Sequence, residues 1–446
     1  MVGWRSRPQG DESATWVNVD IERIESVVVP VSVLDARTEV LAAQAIGPIE
    51  PVTDMGQGKG PGWLDSWLAT HNRDLVSWRR AIHARPELAR QERLTTALVA
   101  ARLTEAGLSP KVGAAGTGLI CDVGAGDHCV ALRADLDALP LREMTGLSFA
   151  STVDGAMHAC GHDAHTAMLL GAGLALAEAP TLPGRVRLIF QPAEEVQPGG
   201  ALDMVASGAL KDVERIFALH CDPRLPVGQL GTKAGPITSA CDLLEIRLTS
   251  PGGHTSRPHL TADLVYALGL LITQLPGLLS RRLDPRSGTV LVWGAVEAGS
   301  AANAVPQNGV LRGTLRTGDH RIWTELEPLV RSLVGALLAP LGVGYVLDHR
   351  RGVPPVHNEP LSAGLLHDAA VAAVGPDGAT STEQSSGGED FAWYLEDVPG
   401  AMGRLGVWSG DGPQKDLHQP TFDLDERALP VGVRVLVHAA LASLAA

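Results

Sequence analysis

The segment at residues 158–165, His-Ala-Cys-Gly-His-Asp-Ala-His, restricts what this chain can be more than any other feature does. It places a thiol, imidazoles and a carboxylate side by side, directly before an apolar stretch that predicts a helix. Thiolate, imidazole and carboxylate are the ligands that divalent transition metals take from proteins. A single His or Cys is usually packed or solvated, so this segment alone does not predict a metal site.

Polar side chains also follow three predicted strands, at residues 128–135, 186–190 and 216–219. Ligands of open α/β sheets bind beyond the carboxyl ends of the strands, so we expect these side chains to converge. A solvated turn is the alternative for the Glu-Glu pair, and simple packing is the alternative for the cysteine. The polar residues at or just beyond the three strand ends are Asp135 and Asp137, then Glu194 and Glu195, then His220.

Composition is typical of a large soluble enzyme with two or three domains: 446 residues, of which 45% are hydrophobic. The net charge of −14 argues against a nucleic-acid partner, because phosphate binding needs clustered Lys and Arg. An odd cysteine count of five argues against a disulfide framework. There is no stretch of eighteen apolar residues and no clear signal peptide, so we expect no membrane span and a cytoplasmic location.

The pattern along the chain predicts four segments. Residues 1–60 form an N-terminal extension without assigned function; it ends in a Gly-rich stretch, and a strand at 27–34 is the alternative there. Residues 61–238 alternate between strand and helix signals, and 239–351 have a βαββαβ order. Residues 352–446 continue the first domain, so the fold class is α/β with an inserted ferredoxin-like α+β domain. The βαββαβ elements are predicted at 242–249, 261–275, 289–296, 310–317, 321–338 and 344–349.

Nine motifs in order resemble the M20 metallopeptidases, specifically the amidohydrolase branch. This branch includes hippurate hydrolases, N-acyl-amino-acid amidohydrolases and plant auxin-conjugate hydrolases. The resemblance extends from about residue 63 to 446. The motifs are those around His83 and Pro86, Arg133 to Pro140, Cys160 to Asp163, Gln191 to Glu195, Gly253 to His259, Asn303 to Pro306, Gly313 to Arg316, Gly388 to Phe391, and Leu417-His418.

The resemblance implies a three-layer α/β metallopeptidase domain, a lid domain inserted into it, and a role for each matching residue. Cys160 would lie between two metals, and Glu194 would be the general base that activates water. Asp135 would orient a ligand, and His254 on the lid would steady the tetrahedral oxyanion. The other implied metal ligands are His162, Glu195, His220 and His418, and the implied groups for the substrate's carboxylate are Asn303 and Arg316.

The chemistry of amide hydrolysis agrees with this set. A bound metal lowers the pKa of water to about 7, and a carboxylate must then take up the proton. Adjacent Glu side chains in an extended segment point to opposite sides, so one can hold metal while the other faces substrate. Which glutamate does which is implied only by the resemblance. An intact Glu pair argues against a non-catalytic metal protein, and the absence of G-x-S-x-G and P-loop motifs argues against a serine hydrolase or an NTPase.

We therefore predict a metal-dependent amidohydrolase that cleaves N-acyl amino acids or related small conjugates. Its cofactors would be two divalent ions, Zn or Mn, with Co or Ni as further candidates. A metallo-exopeptidase, either a dipeptidase or a carboxypeptidase, is the alternative. The predicted partner is a small-molecule substrate, with no nucleic acid and no membrane. The family also implies a homodimer in which His254 reaches the partner's site. Thr255, Ser256, Ala304 and Gln419 depart from the family pattern and leave substrate preference open.

Overall fold

The computed structural model describes residues 17–18 and 61–446. The chain folds into two compact units, and the second interrupts the first. The first contains the described residues up to Leu230, with Leu365–Ala379 and Arg404–Ala446; the second contains Gly231–Gly364 and Thr380–Gly403. The division of the sequence at 60, 238 and 351 stays a prediction. The alternative strand at 27–34 lies outside the described residues.

The first half of the chain alternates between helices and strands, as the sequence predicts. Helices predicted at 63–82 and 92–106 are present and shift by only one residue at each end. The elements are β1 (Val17–Asn18), α1 (Gly62–His83), α2 (Arg93–Glu105), β2 (Lys111–Val112), β3 (Leu119–Gly124), β4 (Cys129–Asp135), α3 (His162–Ala177), β5 (Arg185–Gln191), α4 (Ala201–Ala206) and β6 (Arg215–Pro226).

The second half contains the βαββαβ order and then a return to the first unit. The elements are β7 (Leu230–Thr232), β8 (Gly235–Pro236), β9 (Ala240–Thr249), β10 (Gly253–His254), α5 (Leu264–Arg282), β11 (Val290–Ala298), β12 (Ala304–Val305), β13 (Asn308–Thr317), α6 (His320–Leu338), β14 (Gly344–Val353), β15 (His357–Asn358), α7 (Pro360–Val374), β16 (Ala379–Ser381), α8 (Ala392–Leu395), β17 (Gly400–Trp408) and α9 (Ala428–Leu444), with single 3₁₀ turns at Pro258–Leu260, Pro285–Ser287 and Ala339–Leu341.

The central sheet of the first unit brings three carboxyl ends to one edge. Its strands follow the order β2-β3-β5-β4-β6-β17, and β1 pairs with β2. β4 runs parallel to both β5 and β6, with Val130 opposite Val186 and Arg215. All seven residues of β4 are buried, as expected for a central parallel strand covered on both faces. The ends of β4, β5 and β6 therefore carry their polar residues to the same place.

His220 does not follow a strand, as the sequence suggested, but lies within one. The strand predicted at 216–219 extends from Arg215 to Pro226. Its parallel pairing with β4 ends at Ala218, and its other neighbour in the sheet is β17. Hydrogen bonding to that neighbour is a tertiary contact that local sequence does not encode. His220 still lies just past the last residue paired with β4, which keeps it at the edge where the other side chains meet.

Helix α3 begins at His162, directly after Gly161, and packs against α1, α9 and β4. Gly161 has φ of 86°, in the left-handed region that favours glycine. A Cβ there would also lie 2.9 Å from Sγ of Cys221, closer than real contacts allow. Glycine at this position thus lets the ligand-bearing segment turn sharply into a largely buried helix.

The second unit is a four-stranded antiparallel sheet in the order β11-β13-β9-β14, with α5 and α6 packed on it. This is the ferredoxin-like arrangement, so the predicted fold class is confirmed. The helix predicted at 261–275 begins instead at Leu264 and includes Pro276. It continues to Arg282, since Leu275 and Leu279 are buried in the core and their packing offsets the amide that proline lacks.

By length and composition, α5 is apolar enough to cross a membrane, and 33% of its most apolar window is buried in the protein. Its buried side chains, which include Leu264, Leu268 and Leu271, recur at the three- and four-residue spacing of one helix face. That face packs into the core of the second unit. A helix in the core of a folded domain meets the same criteria of length and composition as a membrane-spanning helix.

Candidate metal centre

Five predicted metal ligands converge in the first unit. Their ligand atoms form two groups of three, and within each group all atoms lie within 4.8 Å of one another. One group is Cys160, His162 and His220; the other is Cys160, Glu195 and His418. Cys160 therefore belongs to both groups, as expected of a side chain between two metals.

The distances between single atoms describe a compact cluster. Sγ of Cys160 lies 3.5 Å from Nε2 of His220. Oε1 of Glu195 lies 3.8 Å from Nε2 of His162 and 3.4 Å from Nε2 of His418. His162, His220 and Cys160 are buried, whereas the His418 side chain is about half exposed, at 52%. The cluster is thus closed on the protein side and open towards His418.

Two of the imidazoles are held in the tautomer that a metal ligand needs. Nδ1 of His162 donates to the carbonyl oxygen of Asp137 at 2.9 Å. Nδ1 of His220 donates to the carbonyl oxygen of Cys221 at 2.8 Å. A carbonyl only accepts, so each Nδ1 carries a hydrogen, and in the neutral ring Nε2 then presents its lone pair to the cluster. A metal-binding His almost always donates its other N–H in this way.

The cluster contains buried polar atoms that a cation would satisfy. Nε2 of His162 and Oε1 of Glu195 are buried, and neither forms a hydrogen bond with the residues that the structure describes. Such atoms are rare in native proteins, because desolvation without a partner is costly. The residues present therefore fit a divalent metal on the chemistry of their donor atoms.

The charges around the cluster also favour a cation. Burial by itself lowers the pKa of His162, but Asp135, Asp137 and Glu195 outweigh it and raise that pKa to about 10. A field that attracts a proton to His162 attracts a metal cation equally. Burial, together with Arg404, holds the pKa of His220 well below its usual value, so that imidazole stays neutral with a free lone pair.

A tight turn after β5 presents the Glu194-Glu195 pair, and one buried carboxylate holds it. The amides of Glu194 and Glu195 donate to the two oxygens of Asp137 at 3.0 and 2.9 Å. Ala193, just before them, has φ of 57°, and its amide donates to Glu92 at 2.8 Å. Glu194, Glu195 and His162 have ligand atoms within 4.8 Å of one another. Glu194 is therefore at the cluster without belonging to either group that contains Cys160.

Asp135 orients an imidazole, but that imidazole is His165 rather than one of the predicted ligands. Oδ1 of Asp135 lies 2.7 Å from Nδ1 of His165, and Oδ2 accepts from Arg133 at 2.8 Å. Oδ2 is also 3.7 Å from Nε2 of His162. Burial alone would raise the pKa of Asp135, but His162, His165 and Arg133 hold it well below its usual value. Asp135 is thus a permanent negative charge beside the cluster.

The remaining predicted residues lie in the second unit, at two separate places. His254 is exposed in a two-residue ribbon, where it pairs with Ala304, and the amide of Thr255 donates to the carbonyl of Asn303 at 3.2 Å. His254 and Asn303 are therefore neighbours. Arg316 lies near the carboxyl end of β13, where it donates to the carbonyl of Ser386 at 2.7 Å. Eight residues of strand separate Asn308 from Arg316, about 26 Å at the usual rise.

Comparison with known proteins supports the reading of these motifs. The family model for peptidase family M20/M25/M40 matches residues 131–442. This chain belongs to that family. A *Bacillus subtilis* N-acetyl-L-cysteine deacetylase is 37% identical over 366 residues, covering 81% of this chain and 86% of the relative. The predicted family, and the prediction of a hydrolase of this family that acts on amide bonds, are confirmed.

Two further comparisons concern chain length and fold. A *Rhodococcus jostii* protein described as a putative glutamate–cysteine ligase is 55% identical over 385 residues, covering 86% of this chain. This chain matches only 48% of that relative's length. A solved *Bacillus subtilis* structure, described as a dinuclear metal binding peptidase from the M20 family, has a TM-score of 0.73 and 33% identity. The match covers 83% of this chain and 98% of the chain in that solved structure.

The sequence pattern assigns no role to three residues that organise the candidate metal centre. From the sequence Asp137 is only a polar residue beyond a strand end, whereas in the structure it contacts His162 and accepts from the amides of the Glu pair. His165 is only part of the 158–165 segment, and Arg133 is only part of a motif. Their position beside named residues was the available signal. Their partners are distant in sequence, so their roles became visible only in the folded chain.

Proposed function

We propose that this chain is a dinuclear metal-dependent amidohydrolase that hydrolyses the amide bond of small N-acyl amino acids. The observation that carries the proposal is that Cys160 belongs to two ligand groups while Glu194 lies beside both. A spare carboxylate next to such a cluster suits catalysis, because a structural metal site needs closed ligation and no base. The dinuclear description of the *Bacillus subtilis* relative supports two ions.

The residues divide the chemistry between them. Two divalent ions, when bound, would lower the pKa of water and polarise the amide carbonyl. Cys160, His162, Glu195, His220 and His418 would hold them; the thiolate favours zinc, and Mn, Co and Ni remain candidates. Glu194 takes a proton from the attacking water and delivers it to the leaving nitrogen. Asp137 fixes the backbone from which Glu194 extends, so the carboxylate is positioned before substrate arrives.

The residues that we propose to bind the substrate belong to the second unit. His254 would donate to the oxyanion, and Asn303 and Arg316 would bind the substrate's carboxylate, a group that a guanidinium matches well. Within one second unit, however, Asn303 precedes β13 in the chain, whereas Arg316 lies near the carboxyl end of that strand. The strand from Asn308 to Arg316 is itself about 26 Å long, more than a small N-acyl amino acid spans. We therefore propose that His254 and Asn303 serve one site and Arg316 another.

A homodimer accommodates that division. His254 and Asn303 of one protomer would complete the site of its partner. Homodimers with two-fold symmetry are the commonest soluble oligomers. In such a dimer the same residues of each protomer would contribute to the site of the other. A reducing cytoplasm is the proposed location, where the thiol of Cys160 stays available to metal.

A substrate panel combined with metal analysis tests the function. The purified chain would be assayed on N-acetyl-cysteine, other N-acetyl amino acids, hippurate and a set of dipeptides, with metal content measured on the same sample. We expect two divalent ions per chain and turnover of N-acyl amino acids that a chelator abolishes and added metal restores. The name of the *Bacillus subtilis* relative makes N-acetyl-cysteine the first substrate to try. Turnover confined to dipeptides would replace the proposal by the exopeptidase alternative.

A further inference from the structure

His165 is a buried imidazole in the first turn of α3, and both of its ring nitrogens are occupied. The amide of Cys221 donates to Nε2 of His165 at 2.9 Å. Because Nε2 accepts, the hydrogen of the neutral ring is on Nδ1, which donates to Oδ1 of Asp135 at 2.7 Å. His165 therefore has no lone pair to offer a metal, although its ring lies among the ligands.

The bond to Cys221 ties His165 to the strand that bears His220. The carbonyl of the same Cys221 accepts the hydrogen of Nδ1 of His220 at 2.8 Å. Cys221, which donates to His165, is thus also the residue that orients His220. The ring of His165 also lies 5.1 Å from the ring of His220 and 5.5 Å from the ring of His162, centroid to centroid. It therefore packs beside two proposed ligands of one ion.

The bond to Asp135 ties His165 to the central strands. Asp135 accepts from Arg133 through its other oxygen, and Nε of Arg133 donates to Gln191 at 2.8 Å. The chain of bonds therefore runs from β6 through α3 to β4 and β5. Every side chain along it is buried. Since buried polar groups bond with strict geometry, such a chain sets the distances between the elements it joins.

We propose that His165 is a positioning residue that sets the spacing between His162 and His220, and with it the affinity of the metal held there with Cys160. This rests on the proposed metal centre. His165 contacts neither metal nor substrate in this role; it acts through Cys221 on His220 and through its position in α3 on His162. Partners that hold ligands in this way typically change metal affinity about 10–100-fold when removed.

The test compares His165→Ala and His165→Gln with the parent chain. Glutamine keeps one donor and one acceptor, whereas alanine keeps neither. His128→Ala is the matched control, because the His128 side chain is exposed and pairs with Glu214. Cobalt would be titrated into each metal-free protein against a chelator, and its absorption bands recorded. The melting temperature of each metal-free protein would be measured alongside.

We expect His165→Ala to bind one of its two cobalt ions about 10–100-fold more weakly, with a shifted ligand-field spectrum. The thiolate band from Cys160 should remain, and His165→Gln should recover most of the affinity. Unchanged cobalt affinity and spectrum in His165→Ala would overturn the proposal, as would a lower melting temperature with unchanged affinity. Should His165→Ala not fold, His165→Gln carries the test by itself. A loss of cobalt affinity by about 10–100-fold in folded His165→Gln would count against the proposal. If the parent binds no cobalt, the proposed metal centre itself fails.

Discussion

Asp137 contacts His162 through two of its atoms. Nδ1 of His162 lies 2.9 Å from the carbonyl oxygen of Asp137 and 3.4 Å from its carboxylate Oδ1. The same carboxylate accepts the amides of Glu194 and Glu195. One buried aspartate therefore fixes a proposed ligand and the proposed base with respect to each other.

Asp137→Asn should lower both metal affinity and kcat/KM about 10–100-fold, because the amide can accept only one of the two backbone N–H groups. The amide left unpaired should destabilise the protein by about 1–3 kcal/mol. Metal titration and urea unfolding would measure the two effects. Asp154→Asn is the control, since that side chain is 92% exposed. An Asp137→Asn protein with the parent's metal affinity and turnover would remove the positioning role.

Glu194→Gln should keep its metal and lose about 10²–10⁴-fold in turnover, because an amide cannot take a proton from water. Metal content and kcat on an N-acyl amino acid would be measured on the same preparation. Glu214→Gln, at an exposed site paired with His128, is the control. Turnover within a few-fold of the parent's would assign the base elsewhere.

Cys160→Ala should lose metal and activity together, since a missing ligand weakens the binding of both ions that share it. Thiol oxidants should inactivate the parent, and less so when metal is saturating. Cys129→Ala is the matched control, because Cys129 is equally buried but lies at the start of β4, away from the cluster. Full metal content in Cys160→Ala would reduce that side chain to packing.

Glu92 should make stability depend on pH. Its burial raises its pKa to about 7, and the nearby Asp137 charge adds to that. Because the folded-state pKa is above the ordinary value of 4.5, the stabilisation is complete below about pH 4.5 and is lost as the pH rises to about 7. The contribution of Glu92 to the free energy of unfolding should therefore fall between pH 5 and pH 7, as measured by urea unfolding of the parent relative to a Glu92 variant.

Glu92→Gln should abolish that loss, because glutamine can still accept the amides of Arg90 and Ala193 without carrying charge. The variant should gain on the parent as pH rises from 5 to 8. Glu105→Gln, at an exposed position, should follow the parent at every pH. A stability difference between Glu92→Gln and the parent that stays constant with pH would contradict the assignment.

His254→Ala should be nearly inactive while it keeps its metal, because loss of one oxyanion donor costs about 10²–10³ in rate. Mixed with Glu194→Gln under subunit exchange, it should regain about a quarter of parent activity if the histidine acts across the dimer, since half the dimers are hybrids with one complete site. Confirmed exchange without recovery would show that His254 serves its own chain or no site.

The residue types at the candidate site could be predicted from the sequence because their signals are local. Cys160 and His162 precede an apolar segment, and Glu194 and Glu195 follow a strand, so pattern and residue type together indicate a shared metal site. The alternation of elements, and the βαββαβ order of the second unit, follow from hydrophobic periodicity for the same reason. The sequence by itself determined which elements form and which donor atoms the site contains.

The tertiary structure decided which polar groups form hydrogen bonds with each other at the candidate site. Asp135 orients His165 instead of a ligand, and the task expected of Asp135 belongs to the carbonyls of Asp137 and Cys221, because hydrogen bonds depend on distances between elements that periodicity does not encode. Helix α5 continues past Pro276, and β6 past His220, because packing in a core and pairing with a neighbouring strand outweigh local preference. Asn303 comes before β13 and Arg316 lies near the carboxyl end of that strand, and they are separated for a simple physical reason: an extended strand carries its two ends away from each other.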